Sequence, residues 1–172
     1  MSNGHEEPAP SRDDAIAMLW SQHYSGLVRL AVGLTGDVGV AEEIVQDAFA
    51  ALLRRWGSVR DPSATYAYVL RVVINGARAR WRHRGRGQAT SSGTAQAPIV
   101  DDDVEARLDV LAALARLPYG KRACLVLRFY ADLSQAQVAE VLGISVGTVK
   151  SQTAKGLRDL AVVLDKSRMG MR

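Results

Sequence analysis

Residues 134–160 contain two short amphipathic stretches, each with its own start and stop chemistry. Ser134 precedes the first, and Gln137 stands three residues on, the spacing of a reciprocal capping box. Gly143 follows Leu142, where a left-handed residue ends a helix, and Ser145 is placed to cap a second helix from Val146. At about 100° per residue, Val149, Thr153, Leu157, Leu160 and Leu164 share one side of that second helix. Thr148, Ser151, Lys155 and Arg158 share the other. Two helices so closely joined form a helix-turn-helix, and a face of short hydroxyls and cations without a carboxylate suits a major groove between phosphates. An ordinary helical hairpin with a solvated basic face is the plainer alternative.

The remaining pattern is also helical. Aromatic residues make up only 6% of the 172, so a core must come from Leu, Val and Ala. Apolar residues at helical spacing predict a helix over about 14–34, ended by Thr35-Gly36-Asp37. A second is predicted over about 40–56, with Ala41, Ile44, Val45, Ala48, Phe49, Leu52, Leu53 and Trp56 inward. Its other face carries Glu43, Gln46 and Asp47. Gly57 stops it, and Asp61-Pro62 predicts a turn. A third, over about 64–83, places Tyr66, Val69, Leu70, Val73, Ile74, Ala77 and Trp81 inward, with Arg71, Asn75, Arg78 and Arg82 outward. Residues 85–103 are rich in Gly, Ser, Thr and Ala and end in Asp101-Asp-Asp103, the composition of a flexible linker. Helical pattern resumes over 104–117, and Pro118 opens a further helix over about 119–130. The expected fold class is all-α: a tail over 1–12, a helical domain over 13–84, a linker over 85–103, a helix-turn-helix domain over 104–166 and a short tail over 167–172. The relative placement of the two domains stays open.

Charge is distributed unevenly. The net charge is +4, yet from Ala15 to Leu53 the only Lys or Arg is Arg29, against Asp37, Glu42, Glu43 and Asp47. From Arg54 to Arg86 nearly every charge is arginine. Several guanidinium groups on one face give salt-dependent affinity for nucleic acid, and an Asn75 amide among them can read a base edge as donor and acceptor. Tyr66, Tyr68 and Trp81 are candidates for stacking on unpaired bases, Trp81 being better placed as core. No nearby acid in sequence neutralises the arginine face. The acidic second helix repels DNA and so suits a basic protein surface.

Catalytic signatures are missing from the sequence. His5, His23 and His83 lack zinc spacing, no phosphate-binding loop or nucleophile elbow occurs, and Cys124 lies in the apolar run Ala123–Leu127 as a core thiol. No catalytic residue, metal or cofactor is expected. No signal-peptide pattern or span-length apolar run is present, so no membrane insertion and a cytoplasmic location are expected.

Together these residues resemble a bacterial RNA polymerase sigma factor of the sigma-70 family, in the extracytoplasmic-function group and similar to its actinobacterial sigma-E-like members. The resemblance rests on Leu34-Thr-Gly-Asp37, Ala41-Glu-Glu-Ile-Val-Gln-Asp-Ala-Phe49, Trp56, and Tyr68-Val-Leu-Arg-Val-Val-Ile-Asn75 with Arg78 and Trp81-Arg82. In the second half it rests on Leu114-Ala-Arg-Leu-Pro118, Arg122, Leu127-Arg-Phe-Tyr130, Leu133-Ser134 and Val146-Gly-Thr-Val-Lys-Ser151. It implies that Glu43, Gln46 and Asp47 meet the clamp coiled coil of core polymerase. It implies that Arg71, Asn75, Arg78 and Arg82 melt and hold the non-template strand of the −10 element. Thr148, Lys150, Ser151, Lys155 and Arg158 would read the −35 element. The implied partners are core polymerase, through clamp and flap, and promoter DNA; control by an anti-sigma factor is compatible. The linker would thread toward the polymerase cleft, where the three aspartates mimic nucleic-acid charge or merely solubilise. Gln152-Thr153-Ala154 departs from the family pattern, as does Thr65-Tyr-Ala-Tyr68. The competing readings are a free-standing helix-turn-helix regulator of duplex DNA, and an interaction protein with no direct DNA role.

Overall fold

Side chains and glycines at the helix ends set most of the boundaries. In the computed structural model, residues 11–58, 64–84 and 104–170 are described. The expected turn at Asp61-Pro62, the linker with its three aspartates, and the first tail up to Pro10 lie outside them. Helix α1 spans Arg12–Thr35, and the Ser11 hydroxyl accepts from the Asp14 backbone N–H at its start. Gly36, at φ 75°, ends α1 in a left-handed turn whose N–H returns to the Val32 carbonyl at 2.7 Å. Asp37 then caps α2, Val38–Arg55, by accepting from the Val40 N–H at 3.0 Å. The predicted breaker is thus both a stop and a start. A 3-10 turn at Trp56–Ser58 follows, and α3 runs Thr65–Arg84.

These three helices share one apolar interior. Leu27, Leu30, Ala31 and Leu34 of α1 meet Ala41, Ile44, Val45, Ala48, Phe49 and Leu52 of α2, and Val69, Val73, Ile74 and Ala77 of α3. At the α2–α3 crossing, a Cβ on Gly76 would come within 2.9 Å of Ile44 Cγ2, so a hydrogen is what lets the helices meet.

The second group begins with α4, Val104–Ala115, and α5, Tyr119–Leu125. The chain continues from α5 through a π-helical turn at Val126–Tyr130, and Asp132, at φ 52°, redirects it. Helix α6, Gln135–Leu142, carries both halves of the expected capping box: Gln137 N–H donates to Ser134 Oγ at 3.2 Å, and Ser134 N–H to Gln137 Oε1 at 2.8 Å. Gly143, at φ 65°, ends it. Ser145 accepts from the Thr148 N–H at 3.0 Å, and α7 runs Val146–Gly170, further than the sequence pattern indicates. Cys124, Leu127, Val138 and Val149 fill the interior between these helices. Burial pushes the Cys124 thiol up from its ordinary range, in keeping with an inert core thiol.

Four predicted inward residues face outward. Leu53 is exposed because a stripe of eight residues is wider than the side α2 turns to its neighbours; one step past Leu52 it joins the face of Gln46 and Ala50. Leu157 is exposed because α5 approaches α7 over Gly156 instead, where a Cβ would stand 3.2 Å from Leu125. A glycine leaves no apolar mark in a sequence stripe, so the inward axis of α7 was misplaced by one position. Tyr66 lies over the His23 ring at 4.4 Å, and Trp81, 46% exposed, stacks on Tyr119 rather than entering the first core.

The two helical groups are packed together. Val126 closes on Gly33 of α1, where a Cβ would stand 3.2 Å from a Val126 methyl, and Gly36 borders Ala115. Buried residues of both groups form one continuous apolar cluster. The sequence leaves this arrangement open, since none of these contacts is local.

Candidate nucleic-acid interface

Helix α7 presents the more open cationic face. Thr148, Ser151, Lys155 and Arg158 are exposed, as their spacing predicts, and Lys150 is exposed as well. Val149 is completely buried beneath them and fixes the rotation of the helix. The Thr148 hydroxyl lies 2.8 Å from the Ser145 hydroxyl, so the capping residue also orients a group at the start of the exposed face. Asp159 is occupied by Lys121 of α5 at 2.5 Å. Among the described residues, Lys150, Lys155 and Arg158 pair with no acid. Gln152 and Thr153, in the departing stretch, are half-buried rather than presented outward; Gln152 lies close to Gly120.

The face of α3 is different. Arg71, Asn75 and Arg82 are exposed and Arg78 is half-buried, so all four share the outer side as expected. However, one arginine of this face meets an acid, and so does Arg80 on the opposite side of the helix. Arg71 donates to Glu140 Oε1 of α6 at 2.9 Å, and Arg80 to Glu43 Oε2 of α2 at the same distance. Both acids are distant in sequence, 69 and 37 residues away, so no local pattern marks them.

Tyr119 lies against this face. Its ring stacks on Trp81 with centroids 4.8 Å apart, and the Arg122 guanidinium stands 5.8 Å from the centroid of the same ring. Burial pushes its hydroxyl up to about 12, opposed by the fields of Arg122, Arg78 and Arg82. No spacing in the sequence marked Tyr119 or Glu140 as neighbours of α3.

On α2, Glu43, Gln46 and Asp47 are exposed together, and exposed Leu53 extends the same side. This surface is therefore mixed, acidic with an apolar end. Among the described residues, no three His, Cys, Asp or Glu side chains are grouped to hold a metal ion, and no helix is long and apolar enough to cross a membrane.

Comparison with known proteins separates the readings. Residues 19–87 match the family described as sigma-70 region 2, and residues 107–160 match sigma-70, region 4. The chain is 36% identical over 159 residues to the ECF RNA polymerase sigma factor SigL of Mycobacterium tuberculosis, covering 86% of this chain and 88% of that protein. The chain belongs to the sigma-70 family. This sigma factor is also 32% identical over 137 residues to the RNA polymerase sigma-E factor of Streptomyces coelicolor, covering 78% and 77% of the two. Its fold matches that of the sigma factor RpoE of Bartonella quintana, solved in complex with the anti-sigma factor NepR. The TM-score is 0.65 at 22% identity, covering 87% of this chain and 96% of that one. The region 2 match sets aside the free-standing regulator, because it assigns the first helical group to the same family as the second.

Proposed function

We propose that this sigma factor reads a bipartite promoter with its two cationic helix faces, and meets core polymerase through the outer side of α2. The observation that carries the reading is a pair of cationic helices in separate helical groups, one interrupted by an amide and flanked by exposed aromatics, the other built of lysines and small hydroxyls.

Phosphate contacts from Lys150, Lys155 and Arg158 hold α7 in the major groove while Thr148 and Ser151 reach base edges. Such contacts position a helix on duplex DNA without opening it. Arg71, Arg78 and Arg82 grip the phosphates of the non-template strand at the −10 element, and Asn75 hydrogen-bonds an extruded base. Trp81, exposed at the end of the same face, offers a ring for a second. Holding unstacked bases offsets the few kcal/mol that unstacking costs.

Glu43, Gln46 and Asp47 bind the clamp coiled coil, with Leu53 adding apolar area at the rim. Glu43 has a further task, holding Arg80 of α3, and so ties the polymerase face to the strand-opening helix. An anti-sigma factor is a further partner, a reading supported by the fold neighbour held in complex with one. The role is that of a non-enzymatic initiation factor acting in the cytoplasm, with chemistry left to the polymerase.

Reconstitution tests the reading. Purified core polymerase and genomic promoter fragments should yield run-off transcripts from defined starts only when the chain is added. Tight, specific duplex binding with no core-dependent transcription would overturn it.

A further inference from the structure

We infer that Ala154 is a specificity-determining residue of α7, reading the methyl group of a thymine in the −35 duplex. This rests on the assignment of α7 to that element. Tertiary packing sets the rotation of the helix. Its inward axis runs through Val149, which is fully buried, and Gly156, where a Cβ would stand 3.2 Å from Leu125 and 3.3 Å from Lys121. At about 100° per residue, the opposite meridian runs through Gly147, Ser151, Ala154 and Arg158. All four are exposed. An axis drawn with Leu157 inward instead centres the outer face between Ser151 and Lys155, and passes over Gly147 and Ala154. Leu157 is itself 46% exposed, so the meridian through Ala154 is the one the fold presents.

Over its first two turns this meridian carries a hydrogen, a hydroxymethyl group and a methyl. Thr148 and Lys155 flank it on one side and Lys150 on the other, all exposed. The longer side chains of the same stretch are turned away: Gln152 lies against Gly120 of α5, and the Thr153 hydroxyl is buried. In a helix-turn-helix the first residues of the second helix meet base edges, while flanking cations hold the phosphates on either side of a groove about 12 Å wide. A helix bare along its central line approaches the groove floor closely. There Ala154 offers only a methyl, which neither donates nor accepts a hydrogen bond. Set over an adenine or cytosine amino group, it displaces water and returns no hydrogen bond. Set over the thymine C5-methyl, the one apolar group that bases present in this groove, it buries apolar surface without that loss. Choice therefore follows from exclusion as much as from attraction. Ser151 is less selective, because a hydroxyl both donates and accepts.

Deoxyuridine differs from thymidine at the base by that methyl alone and provides the test. Promoter fragments that give run-off transcripts with core polymerase and the full chain, randomised across the −35 element, yield the preferred sequence. Each thymine of that element is then replaced in turn by deoxyuridine. One replacement should lower affinity for the chain with core about fourfold, the loss of one buried methyl. With Ala154→Gly the same replacement should change affinity by less than about 1.5-fold, since no methyl faces it. Ala154→Gln should move the preference at that base pair from thymine toward adenine, whose N6 and N7 match a side-chain amide. Loosening of α7 cannot produce such a gain, so this variant decides the matter should the glycine chain not fold. Methyl dependence unchanged in Ala154→Gly, no thymine at which deoxyuridine matters, or an unaltered preference in Ala154→Gln would each overturn the role of Ala154 and leave the −35 assignment standing. Transcription indifferent to sequence across the whole element would remove that assignment and the role of Ala154 together.

Discussion

The cationic faces of α3 and α7 look alike in sequence and differ in the folded chain. Each carries basic residues at helical spacing with polar groups between them, and the one acid beside the α7 face, Asp159, is held by Lys121 of α5. On α7, Lys150, Lys155 and Arg158 stand unpaired among the described residues; on the face of α3, Arg71 is met by Glu140. The difference shows that a charge pattern within one helix reports which side faces solvent, while its availability depends on residues brought in from elsewhere. Under the proposed roles, the open face meets duplex DNA and the α3 face meets a strand that exists only once a promoter is being melted.

The largest effect expected is at Asn75. Asn75→Ala should slow open-complex formation by roughly 5- to 150-fold, the equivalent of about 1–3 kcal/mol for a base contact, with core binding unchanged. Equal loss of both would remove the strand-holding role and collapse the contrast between the two faces. Permanganate footprinting and a core pull-down on the same samples separate the two. A smaller change is expected on the open face, where Lys155→Ala should weaken duplex binding across sequences and reduce the slope of log K against log salt by about 1. An unchanged slope would mean that α7 does not meet phosphate there.

Ser134→Ala should lower unfolding free energy by about 1 kcal/mol through loss of the cap on α6, measured by denaturant titration. Duplex affinity should persist where the chain remains folded, since α7 keeps its own cap at Ser145.

The smallest change at neutral pH is expected at Tyr119, on the occupied face. Its hydroxyl titrates at about 12 when folded, above the ordinary 10.0, so the folded state keeps the proton longer. The stability this contributes is full below pH 10 and is lost as pH rises toward 12. Tyr119→Phe keeps the ring on Trp81, removes an unpartnered hydroxyl, and should flatten that alkaline fall in Tm while changing stability little at neutral pH. An unaltered alkaline profile would show that the group does not sit in the buried position described.

Much of the site was legible in the sequence because its signals are local. Ser134 with Gln137, Gly143 and Ser145 act over three or four residues, and the structure places each cap as expected. The outward positions of Arg71, Asn75 and Lys155 follow from helical period alone. Period was less secure where the partner helix decides the width of the buried side. Leu53 and Leu157 have the right chemistry for a core and lie one step outside it, Leu157 because Gly156 is the position where α5 comes close. Trp81 is placed inward on α3 by helical period and finds its partner, Tyr119, in the other helical group.

By itself, then, the sequence determined the helices, their caps, the order of the two groups and the chemistry of each face, since these depend on residues within a turn or two of one another. Only the tertiary structure decided that Val126 rests on Gly33, that Glu140 answers Arg71, and that Tyr119 meets Trp81. Those contacts join residues dozens of positions apart. They form because two incomplete apolar surfaces bury each other, a gain that no window of local pattern contains.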